Sequence, residues 1–153
     1  LVDGGDGDDG SILGIGYTVE AGSTTVALSM DTYSKGTTDA TSIGAVVTAG
    51  DFVLTLASNN EEDTTAATAY DRTGDAMGVT YKVSETLSVQ AYSGTTDDSK
   101  AASYKITDTG VGATYTITPG LTVSITNNSV EATTDGGTKT TTDGTALALN
   151  VTF

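Results

Sequence analysis

The chain has 153 residues, with 6 Lys plus Arg against 20 Asp plus Glu and a formal net charge of −14. It contains no cysteine and no histidine, which excludes disulfide and thiolate chemistry and removes the commonest general base and a favoured metal ligand. The carboxylate excess argues against nucleic acid and anionic headgroups as partners and favours cations.

Hydrophobic content is 37% and there is no tryptophan, little from which to build a soluble core. No stretch approaches the roughly 20 apolar residues of a transmembrane helix. The chain opens on Leu1-Val2 and an acidic glycine run and shows no signal peptide, so either one was removed or the sequence is expected to start inside a longer protein.

Taken in chain order, Asp3, Asp6, Asp8 and Asp9 alternate with glycines. Such carboxylates suit a hard, oxygen-ligated ion such as Ca²⁺, but a plain solvated acidic loop is the stronger reading. Residues 1–10 are expected to form that outer loop, and residues 11–153 a run of hairpins. Period-two alternation then predicts about nine strands. The apolar columns are Leu13, Ile15, Tyr17, Val19; Val26, Leu28, Met30; Ile43, Ala45, Val47; Phe52, Leu54, Leu56; and Met77, Val79, Tyr81, Val83. Further on come Leu87, Val89, Ala91; Val111, Ala113, Tyr115, Ile117; Leu121, Val123, Ile125; and Leu147, Leu149, Val151, Phe153. The positions between them are mostly Gly, Ala, Ser and Thr. A soluble antiparallel sheet can alternate in this way too.

The connections separate the two possibilities. Short turns at 21–23, 49–50, 84–85 and 119–120 alternate with polar stretches at 34–40, 58–68, 93–100 and 127–144. Tight turns at one end and longer loops at the other are the outer-membrane arrangement. Tyr17, Phe52, Tyr81, Tyr115 and Phe153 fall near the short-turn ends, and Tyr33, Tyr70, Tyr92 and Tyr104 near the long-loop ends. That placement predicts aromatic girdles at both membrane interfaces.

The ending Leu147-Ala148-Leu149-Asn150-Val151-Thr152-Phe153 resembles the C-terminal β-signal of bacterial outer-membrane proteins. The hairpin texture, as in Gly112-Ala113-Thr114-Tyr115 before Pro119-Gly120-Leu121-Thr122-Val123, is similar to general diffusion porins of the alphaproteobacterial type. The resemblance implies an all-β antiparallel transmembrane barrel in the bacterial outer membrane, with a lipid and lipopolysaccharide environment, a homotrimer, and assembly machinery that reads Leu147, Leu149, Val151 and Phe153. Nine strands is an odd number, whereas single-chain bacterial barrels have an even one. The chain is therefore expected to be the C-terminal part of a 16-stranded barrel, or else a small barrel of 8 or 10 strands.

Transport through such a wall needs no catalytic group. The charged and polar candidates for the lumen are Glu20, Asp31, Asp51, Lys82 and Gln90, with mild cation preference. No histidine activates the many Ser and Thr hydroxyls, and no carboxylate pair is singled out, so no enzyme is expected. The alternative is a secreted or surface calcium-binding β module of the adhesin or surface-layer type.

Overall fold

A computed structural model describes residues 10–65, 69–99, 104–134 and 137–152. The acidic run Asp3, Asp6, Asp8 and Asp9 and the terminal Phe153 lie outside the described residues.

Nine strands form one sheet in strict sequence order: β1 (Gly10–Ala21), β2 (Thr24–Lys35), β3 (Thr38–Ala49), β4 (Phe52–Asp63), β5 (Tyr70–Lys82), β6 (Leu87–Asp98), β7 (Tyr104–Thr118), β8 (Leu121–Thr133) and β9 (Lys139–Val151). Every neighbouring pair is antiparallel. Tight reversals demand residues that tolerate left-handed backbone, which Gly22 and Gly50 supply at φ of 64° and 59°.

The polar stretches expected to be long loops are mostly strand. β2 and β3 are joined by only two residues, 36–37, while β4, β6 and β8 continue to Asp63, Asp98 and Thr133 before turning. These extensions carry Ser, Thr, Asn and acids on both faces. The ladder hydrogen bonds hold them in register without help from apolar alternation.

Residues opposite one another in the register share a face. All eight expected apolar-face residues, Leu13, Ile15, Leu28, Leu54, Val79, Val89, Val123 and Leu149, fall on one side. No second layer covers them. Among the described residues none of the hydrophobic side chains is buried, and Leu147, Ile15 and Leu13 are 74%, 70% and 68% exposed. A soluble β fold buries such a face against another layer; this sheet does not.

Candidate functional site

The apolar face is banded, and the band runs obliquely to the register. Followed from strand to strand, the row through Ala21 reaches Thr24, Ala49, Phe52, Tyr81, Val89, Ala113, Ile125 and Leu147. On β1 the uppermost apolar residue is Leu13, eight residues above that row. It becomes Met30 and Ile43 on β2 and β3, Leu56 and Met77 on β4 and β5, Ala91 and Val111 on β6 and β7, and Ile125 and Leu147, on the row itself, on β8 and β9. The margin slips by one residue per strand.

A straight margin therefore requires tilted strands. With a rise of about 3.4 Å per residue and a strand spacing of about 4.8 Å, that slip corresponds to a tilt of about 35°. Transmembrane barrels tilt their strands by about 35–45°. The same stagger brings Tyr17, Phe52, Tyr81 and Tyr115 to a common level within one residue, all on the apolar face and all toward the short turns. Phe52 and Tyr81 stack there with ring centroids 4.4 Å apart. They form a girdle of amphipathic rings at one margin of the band.

The expected second girdle is not there. Tyr33, Tyr70, Tyr92 and Tyr104 all lie on the opposite, polar face, paired with Ala40, Asp63, Gly110 and Asp98. Distance from a turn says nothing about parity along a strand, and parity decides the face.

The polar face is a wall of small side chains. One row runs Gly16, Ser29, Gly44, Ala57, Ala76, Gly94, Asp108, Val130 and Thr142. Of the candidate residues, Glu20, Asp31, Lys82 and Gln90 are on this face, opposite Thr25, Gly14, Ser88 and Thr80. Lys82 also forms an ion pair with Glu85 in the adjoining turn, at 3.5 Å. Asp51 sits in the β3–β4 turn, outside the strand ladder. Allowing for the stagger, Glu20 and Lys82 lie toward the short-turn margin of the apolar band and Asp31 near its other margin. The wall between them carries hydroxyls, amides and backbone.

Beyond the band, the polar face carries a network that sequence reading missed. Tyr70 Oη donates to Glu61 at 2.7 Å. Arg72 Nε donates to Asp98 at 3.0 Å, and its guanidinium lies 4.3 Å from the Tyr70 ring centroid. Glu61, Arg72, Asp98 and Tyr104 occupy one register row across β4 to β7. Asp98 is only 3% exposed. Opposite Tyr70, Asp63 accepts from the Thr65 backbone N–H at 2.7 Å and the Thr37 hydroxyl at 3.0 Å, tying two adjacent turns together. The Thr65 N–H, followed by nearby threonine hydroxyls, holds Asp63 below the usual carboxylate range. Donation to Glu61 pushes the Tyr70 phenol up. The residues were visible in the sequence, but their union depends on the register of four strands.

Level with the upper margin of the band, on the polar face, Tyr92 lies across Gly110 on β7, where any Cβ would collide with the ring. An aromatic ring covering a glycine on the next strand shields exposed backbone and fixes register.

A tilted apolar band with one aromatic margin, backed by a wall of small polar residues, is the pattern of a sheet with lipid on one side and water on the other. No curated protein matches the chain. The sequence model of Gram-negative porins matches residues 2–135, and the chain belongs to that family, a channel protein of the bacterial outer membrane.

Proposed function

We propose that the nine strands form part of the wall of a passive diffusion channel for small hydrophilic solutes and ions. The polar face lines the water-filled lumen, with Glu20, Asp31, Lys82 and Gln90 directed into it, and the carboxylate excess gives mild cation preference. The observation that carries this reading is the one-residue-per-strand slip of the apolar margin, which makes the band level only for strands tilted as in a membrane barrel.

β1 and β9 run in the same direction, so they cannot pair antiparallel with each other. An all-antiparallel closure needs an odd number of further strands between them, and seven completes the 16-stranded barrel that the sequence resembles. Association of three such barrels and recognition of the last strand by assembly machinery belong to the same proposal.

Single-channel recording in planar bilayers tests it. The expected result is an open channel whose reversal potential in a KCl gradient shifts toward anion preference in Asp31→Arg. An unchanged potential in that variant removes Asp31 from the lumen. A protein that inserts without conducting overturns the channel reading.

A further inference from the structure

On the polar face of β4 to β7 the wall is indented by a hollow of about 200 Å³, bordered by Ala57, Asn59, Gly74, Gly94, Ile106 and Asp108. Each of these six points to the same side of the sheet. The floor is glycine and alanine, so the hollow arises from missing side chains. At its β7 end stands Asp108, whose Oδ1 is enclosed and accepts no hydrogen bond. The residues opposite it, Gly94 on β6 and Val130 on β8, and those beside it on its own strand face, Ile106 and Gly110, carry no side-chain donor. Lys105 is on the other face, and Arg72 is held by Asp98. An enclosed carboxylate oxygen without a donor is costly, and Asp108 itself borders the hollow, where a cation can reach its charge.

We infer that this hollow is a seat for a primary alkylammonium group: the ammonium donates to Asp108 and the alkyl stem lies over Gly94, Ala57 and Gly74. A hard divalent ion fits less well, because it takes six to eight oxygen ligands. Among the described residues, no group of three His, Cys, Asp or Glu side chains gathers to hold a metal. The chain's net charge of −14 draws cations toward it. The inference rests on the channel reading, which puts the hollow in the solute path.

The test adds n-butylammonium chloride to the conducting protein in planar bilayers, and in parallel measures its binding to the detergent-solubilised protein by saturation-transfer NMR. The expected result is millimolar block and a saturable NMR signal, each weakened at least tenfold in Asp108→Asn. Gly94→Leu fills the floor while keeping the charge. A Cβ at Gly94 would meet nothing closer than 3.7 Å, so the variant is expected to fold and to lose block as well. Asp97→Asn, on the apolar-face side, should behave as wild type. Equal block in wild type and Asp108→Asn overturns the inference, as does binding of Ca²⁺ in preference to butylammonium. Loss of conduction with NMR binding intact counts against the channel reading and leaves the seat standing.

Discussion

Arg72 reaches across from β5 to Asp98 on β6 with its Nε 3.0 Å from the carboxylate, and Asp98 is the most enclosed charged group among the described residues. Removing the guanidinium takes a charge-assisted donor from a carboxylate that the sheet shields from water. Arg72→Ala is expected to lower stability, but only modestly, because the arginine itself is 40% exposed and its charge is screened by water. The detergent-solubilised protein should unfold at a lower temperature. Arg72→Lys should recover part of the loss and lose the guanidinium packing on Tyr70.

Tyr92 and Gly110 form a size-matched pair. Gly110→Val should destabilise by about 1–3 kcal/mol through overpacking, and Tyr92→Ala in the same chain should relieve much of that. A double-mutant cycle on thermal or denaturant unfolding reads the coupling. Additive effects would mean that ring and glycine do not touch.

Leu54 and Thr55 are neighbours on β4 with opposite faces. Leu54→Arg places a cation in the middle of the apolar band at a cost of about 2–4 kcal/mol; Thr55→Arg stays on the polar face, proposed to line the lumen. The first should reduce the heat-modifiable folded fraction after insertion into vesicles, and the second should change conductance with folding intact. Equal folding of both would contradict the assignment of faces.

Lys82 supplies a positive charge on the polar face near the short-turn margin, where Glu85 already offsets it. Lys82→Gln is expected to raise cation preference modestly, less than Asp31→Arg lowers it, since a partnered and exposed charge contributes a screened field. Reversal potentials in dilute and concentrated KCl give the comparison, and the difference should shrink at high salt.

The strand count, the apolar columns and the lower aromatic girdle were legible because they depend on period two alone. Leu13 to Val19 and Leu147 to Val151 declare their faces by sequence. The extensions Asn59–Asp63, Tyr70–Asp75 and Thr95–Asp98 did not, because they are polar on both sides and alternation has nothing to mark there. For the same reason alternation does not single out Asp108. Its setting is made by Gly94 and Val130, which come from strands on either side. The second aromatic row failed on parity: Tyr33, Tyr70, Tyr92 and Tyr104 sit at the anticipated end, one position away from the anticipated face.

The hydroxyl-rich strand extensions have a consequence for how such a protein tolerates change. They form a collar between the bilayer and the hairpin tips, and its ladder is held by backbone pairing instead of by particular side chains. Deleting or adding one opposed residue on each arm shortens or lengthens a tip and leaves every alternating position below it undisturbed. The tips can therefore diverge in length and sequence, while the apolar band stays aligned.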